Sequence, residues 1–204
     1  MKPSDYIVFG TLEDKDYNVI QEKISNLYAS SSKATLAGSK SGYQPDLRKG
    51  QVNFLKPNDN SRIFKIIQKY FLQSYHNLYK KFRFDCLPEI QYANYKKGDF
   101  FRKHADVVRS TDYFRCLTMS INLSAADEYK DGDLIIFAKD NQKEKVFSLA
   151  RDKGSFVIFP SFYKHEVKEL TEGNRDALVC WYVDTLNNLN NFQKKVENSN
   201  DSNL

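Results

Sequence analysis

At 204 residues, with 41% apolar and 14% aromatic residues and charges spread along its length, the chain reads as one globular unit, not a disordered or fibrous one. The excess of 31 basic over 26 acidic residues is too small to point to nucleic acid, and the apolar run Tyr6 to Phe9 is far too short for a membrane span or signal-peptide core. A cytoplasmic protein is the expectation, and Cys86, Cys116 and Cys180, odd in number and without zinc-type spacing, read as reduced and mostly buried thiols.

In chain order, Leu12 to Tyr28 repeats apolar residues at Tyr17, Ile20, Ile24, Leu27 and Tyr28, which predicts a first helix. Residues 30 to 60 are rich in Ser, Lys, Gly, Asn and Pro and read as loops, with one strand-like island at Gln51 to Leu55. A second helix follows, its stripe Ile63, Ile67, Phe71, Ser74, Leu78 and Phe82 placed after Ser61 as a candidate cap. Such a stripe needs a sheet to cover.

From Pro88 the pattern changes to short β-rich runs between turns, the signature of an antiparallel sandwich or barrel. The candidate strands are Glu89 to Tyr95, Phe100 to His104, Phe114 to Leu123, Asp133 to Phe137, Lys145 to Leu149, Ser155 to Phe159, Lys164 to Lys168 and Arg175 to Val183. A turn at Glu172 to Asn174 separates the last two. In Leu117 to Leu123 the odd positions are apolar while Thr118, Ser120 and Asn122 are polar, so one face packs under helices and the other lines a polar interior. The expected organisation is a helical support region at 1–87 within the same unit, a β core at 88–184, and a polar, poorly ordered tail at 185–204.

His104-Ala105-Asp106 puts an imidazole and a carboxylate on one side of an extended segment, and His165 can add a second imidazole. Two His and one carboxylate on one face of an octahedron leave three open positions, an arrangement suited to non-haem iron(II). A His-x-acid triplet arises by chance in roughly one such sequence in three at ordinary composition, so the triplet alone decides little. Arg175, ten residues after His165, strengthens it. If an odd-length hairpin loop joins their strands, His165, Val167, Arg175, Ala177, Val179 and Trp181 face one interior, and a buried guanidinium there requires an anion.

The stretches Tyr95 to Asp106, Leu117 to Ser124, Asp131 to Leu134, Phe159 to Val167 and Gly173 to Trp181 together resemble the prolyl 4-hydroxylase-like branch of the 2-oxoglutarate and iron(II) dioxygenases, over about residues 88 to 184. The resemblance implies an α+β, mainly β fold, a double-stranded β-helix or jelly roll with N-terminal helices packed on one sheet. It implies His104, Asp106 and His165 as iron ligands and Arg175 as the grip on the distal carboxylate of 2-oxoglutarate. Tyr95, Thr118 and Ser120 would line the cosubstrate pocket, and Trp181 would shelter the metal. The cofactor set implied is Fe(II), 2-oxoglutarate and O2, with ascorbate as an optional addition, and the partner implied is a protein or peptide carrying a prolyl residue. One departure is Gly132-Asp133, where the family often has two glycines.

The residues leave other readings open: an oxygenase of a free amino acid or other small molecule, a zinc hydrolase using the same triad, or a non-catalytic jelly-roll binding protein. His76 falls off the second helix's stripe and reads as a solvent residue. Lys96, Lys97, Arg102, Lys103, Arg109 and Arg115 could rim an entrance, with Val107 to Tyr113 as a covering loop.

Overall fold

The computed structural model describes residues 2–25, 32–34, 44–74, 86–110, 113–140 and 143–198, with the side chains of 86–88 and 109–110 outside that description. After a 3-10 turn at Pro3–Tyr6 come β1 (Val8–Thr11), α1 (Asp14–Ile24), β2 (Ser32–Lys33), β3 (Arg48–Lys49), β4 (Gln51–Leu55) and α2 (Ser61–Ser74). The β-rich part holds β5 (Cys86–Lys96), β6 (Phe100–His104), β7 (Arg109–Ser110), β8 (Tyr113–Asn122), β9 (Tyr129–Asp131) and β10 (Leu134–Asp140). It continues through β11 (Lys143–Ser148), β12 (Ser155–Pro160), β13 (Lys164–Val167) and β14 (Leu170–Thr185), and closes on α3 (Leu186–Glu197).

These strands form two antiparallel sheets, as a jelly roll requires. The larger runs β1-β12-β8-β14-β5-β4-β2, with β7 on β8 and β9 on β14; the smaller runs β11-β10-β13-β6-β3. The helices cover the larger sheet. Along α2 the buried residues Ile63, Ile66, Ile67, Tyr70, Phe71 and Ser74 recur at three- and four-residue spacing, and each fully buried Ile contributes on the order of 2 kcal/mol. Phe71 packs on Tyr182 of β14 at 4.8 Å and Tyr70 on Phe156 of β12 at 5.4 Å. The Tyr70 hydroxyl donates to Asp16 at 2.9 Å, locking α2 to α1. Among the described residues no helix is long and apolar enough to cross a membrane.

Several expectations need correction. The tail is not structureless from 185: α3 spans Leu186–Glu197, Thr185 caps it by accepting from the Asn188 amide, and Leu189, Phe192 and Val196 are buried. Those three recur at helical spacing inside an Asn- and Lys-rich segment, and Phe192 meets Tyr6 and Phe162 edge-on. Second, β13 and β14 are not a hairpin. β13 pairs with β10 and β6 in the smaller sheet, β14 with β5 and β8 in the larger, so the chain crosses the sandwich between Val167 and Leu170.

Third, the expected turn at Glu172 to Asn174 is a bend inside β14, whose first residues pair with β9 before the strand passes on to β5 and β8. Gly173 has φ +77°, and a Cβ there would lie 2.0 Å from the Glu128 carbonyl oxygen, so glycine bends the strand without ending it. Ser61 is the first helical residue and not a cap. His76, Leu78 and Phe82 lie outside the described residues, as do 111–112 of the covering loop and the Cys86 side chain; Cys116 and Cys180 are free and buried.

Candidate metal centre

His104 ends β6 and His165 lies in β13, and the two are register partners in the smaller sheet. Asp106, two residues beyond His104, is held by its backbone N–H donating to the Ser161 carbonyl at 2.8 Å. One ligand atom from each of the three lies within 4.8 Å of the others. The His104 Nε2 is 3.4 Å from Asp106 Oδ1, and the His165 Nε2 is 3.4 Å from Asp106 Oδ2. Each imidazole has its Nδ1 on a backbone carbonyl: His104 on Arg102 at 2.7 Å, His165 on Tyr163 at 3.1 Å. With Nδ1 as donor, the Nε2 lone pairs are left to converge beside the carboxylate, the donor set a divalent transition metal needs.

The carboxylate is oriented as well. Asp106 Oδ2 accepts from Thr118 Oγ1 at 3.0 Å and from the Trp181 indole N–H at 2.9 Å. Thr118 and Ser161 hydroxyls are 2.9 Å apart, extending the network. Burial opposes ionisation of Asp106, but the neighbouring His165 and His104 outweigh it and hold the carboxyl well below its ordinary range. Burial, with His165 beside it, lowers the His104 pKa; at His165 burial pulls down, but Asp106 prevails and raises it.

The triad opens into a cavity of about 270 Å³ between the sheets, walled by apolar Leu134, Phe159, Val167 and Val179. His165, Val167, Arg175, Ala177, Val179 and Trp181 all line it, as the sequence predicts, although they arrive from opposite sheets and not from one hairpin. Arg175 is 2% exposed, stands opposite Tyr95 in the β14–β5 ladder with its guanidinium 6.0 Å from the ring centre, and pairs with no carboxylate among the described residues. Gly132, with φ +68°, gives the Arg175 stem room: a Cβ there would lie 3.6 Å from its Cδ and 2.0 Å from Leu170 Cδ1. Asp133, the departure from two glycines, forms a two-point ion pair with Arg151 at 2.8 and 3.0 Å.

Of the remaining site residues, Tyr95 and Ser120 line the cavity beside Arg175. Thr118 and Trp181 line it too, but their polar atoms are committed to Asp106, a positioning duty the sequence did not reveal. Arg115 pairs with Glu89 at 2.6 Å and stacks over Trp181 at 3.5 Å; Lys103 pairs with Glu144 and Arg102 lies over Phe100. Two polar cavity residues went unnoticed. Gln91 shares a face of β5 with Tyr95, and strand parity could have found it. Arg48 sits in a two-residue strand within a loop-like stretch, and no pattern marked it.

Residues 90–183 match the 2OG-Fe(II) oxygenase superfamily. That match spans the strands from β5 to β14 that carry the triad and Arg175. A PKHD-type hydroxylase of Prochlorococcus marinus is 32% identical over 137 residues, 63% of this chain and 58% of that protein. Another, from Rippkaea orientalis, is 27% identical over 95 residues, 45% of this chain and 41% of that protein. The chain thus spans roughly two-fifths to three-fifths of these relatives. The fold is that of a Pseudomonas putida prolyl-4-hydroxylase (TM-score 0.67, 18% identity, 87% of this chain and 92% of that one). It is also that of a Trichoplax adhaerens prolyl hydroxylase solved with a hypoxia inducible factor peptide fragment (TM-score 0.70, 17% identity, 96% and 88%). The matched superfamily implies Fe(II), 2-oxoglutarate and O2, and the His-Asp-His donor set fits that metal.

Proposed function

We propose that this chain is an Fe(II)- and 2-oxoglutarate-dependent hydroxylase acting on a prolyl residue of a protein or peptide, with release of succinate and CO2. The observation that carries the reaction class is the shared cavity: a His-Asp-His set with Asp106 and His165 buried and, facing it from the other sheet, a buried Arg175 without an acidic partner among the described residues. A zinc hydrolase would leave Arg175 without a duty. The prolyl target is supported by the fold shared with the two prolyl hydroxylases, one of them peptide-bound.

In this reading His104 and His165 present Nε2 to the metal, and Asp106 presents the carboxylate that Thr118 and Trp181 hold in place. Iron(II) held there supplies the oxidative chemistry, coupling decarboxylation of the keto acid to hydroxylation. Arg175 offers two parallel N–H donors to the far carboxylate of 2-oxoglutarate, fixing its direction in the cavity. Leu134, Phe159, Val167 and Val179 keep bulk water away from the reacting end.

Anaerobic addition of iron(II) and 2-oxoglutarate should produce the visible charge-transfer band, and aerobic incubation should form succinate. His104→Ala and Asp106→Ala should lose both. Arg175→Ala should keep the metal but require about ten- to a hundredfold more 2-oxoglutarate, as befits a lost charge-assisted pair. Undiminished succinate from Asp106→Ala would reject the assignment. Mass-spectrometric detection of oxygen on a prolyl residue of candidate peptides tests the substrate.

A further inference from the structure

The catalytic cavity contains a second cation that the proposed reaction does not use. Arg48, in β3 at the edge of the smaller sheet, is 6% exposed and lines the same cavity as Arg175. Among the described residues its one side-chain hydrogen bond runs from Nη2 to Gln91 Oε1 at 2.9 Å, and its Nε is buried without a partner. The guanidinium lies 4.4 Å from the centre of the Phe101 ring, which itself stacks on His104 at 3.5 Å. No carboxylate among the described residues pairs with Arg48, whereas Arg115, at the same cavity, is matched by Glu89. A guanidinium does not shed its proton, so a buried one needs an anion from elsewhere.

The formal charges say where that anion comes from. Two positive charges on iron(II) and one on Arg175 are cancelled by Asp106 and the two carboxylates of 2-oxoglutarate. The cosubstrate has no third carboxylate, so Arg48 is left over. We infer that Arg48 and Gln91 form a subsite for a carboxylate carried by the substrate, so that the group to be hydroxylated lies close to an acid. This rests on the oxygenase reading under Proposed function and adds a substrate feature to it: the acid is either an acidic side chain next to the target residue in a peptide or, if the peptide target is wrong, the free carboxylate of a small substrate. Arg48 is held over the Phe101 ring and at one edge by Gln91.

The test uses Trp181, the chain's single tryptophan, which lines the cavity and reports occupancy by its fluorescence. With zinc(II) as a redox-inert stand-in and 2-oxoglutarate present, four probes are titrated: acetyl-aspartyl-prolyl-alaninamide and its asparaginyl counterpart, and acetylproline and its amide. The acidic member of one pair should bind about tenfold or more tightly than its amide, and the pair that discriminates identifies the source of the acid. In Arg48→Met the ratio should fall below about threefold while 2-oxoglutarate affinity moves by less than that. Gln91→Leu, which leaves the charge but frees its edge, should reduce the ratio part-way and serves if Arg48→Met does not fold.

Equal binding of acid and amide in both pairs overturns the subsite, as does full discrimination surviving in Arg48→Met. Loss of 2-oxoglutarate binding in Arg48→Met overturns it too, by giving the guanidinium to the cosubstrate. If the wild type fails to bind 2-oxoglutarate at all, the oxygenase reading falls, and the probe ratios measured without it still decide the carboxylate subsite.

Discussion

The strands β8 and β14 show two different faces of one sheet. Outward, Leu117, Met119 and Ile121 of β8 and Leu178, Cys180 and Tyr182 of β14 are buried, with Tyr182 against Phe71 of α2. Inward, Thr118, Ser120, Arg175 and Trp181 line the cavity, where hydroxyls, an indole N–H and a guanidinium replace methyl groups. Both faces are almost without solvent, yet one is satisfied by packing and the other presents directed donors, two of them, Thr118 and Trp181, bonded to Asp106. The contrast teaches that burial alone does not mark a core; a buried face rich in donors is built around something that accepts.

The largest expected effect comes from breaking the packed face. Met119→Ala should cost about 2–5 kcal/mol in chemical denaturation, with metal affinity of the folded protein unchanged. Equal loss of metal affinity would mean the two faces are not separable.

Breaking the donor face should do the reverse. Trp181→Phe keeps an aromatic ring but removes the bond to Asp106, and should weaken metal binding about 10- to 100-fold in a chelator competition, with less loss of stability than Met119→Ala. Unaltered affinity would make Trp181 a packing residue only.

The smallest effect lies away from both faces. On β10 Asp140 accepts from the Ser4 amide at 2.9 Å and hydroxyl at 2.6 Å and pairs with the half-exposed Lys145 at 2.8 Å. Burial works against its ionisation, but Lys145 and Ser4 prevail and lower its pKa. A lowered carboxyl pKa stabilises the fold above the unfolded value, near pH 4, and that contribution disappears as pH falls through the folded value. Asp140→Asn should therefore cost about 1 kcal/mol at pH 7, and the gap to wild type should close in acid. A gap that persists there would show that charge is not what Asp140 contributes.

What could be read in the sequence follows the same contrast. Strong periodicity made α2 and the β-rich half visible, and β4 and β6 have the expected bounds because alternation and turn residues agree there. The triad and Arg175 were legible because motif and strand parity converge on them. Parity placed their side chains even though the expected hairpin is a crossing between sheets, since inward-facing residues stay inward whichever sheet holds the strand. The rest was hidden for physical reasons. The stripe of α3 is three residues diluted by Asn and Lys, and Arg48 is buried by tertiary contacts from a strand too short for any pattern. Thr118 and Trp181 have the right parity, but their bonds to Asp106 depend on side-chain reach, which spacing does not encode.

His165 and Arg175 are only ten residues apart, yet the segment joining them passes from one wall of the sandwich to the other. Packed sheets stand about 10 Å apart, a gap fixed by the bulk of the side chains between them. That gap acts as a gauge: under the proposed function, a keto acid anchored at both walls is chosen first by length. One methylene more or less would leave one end of such a diacid without its anchor, even with every site residue intact.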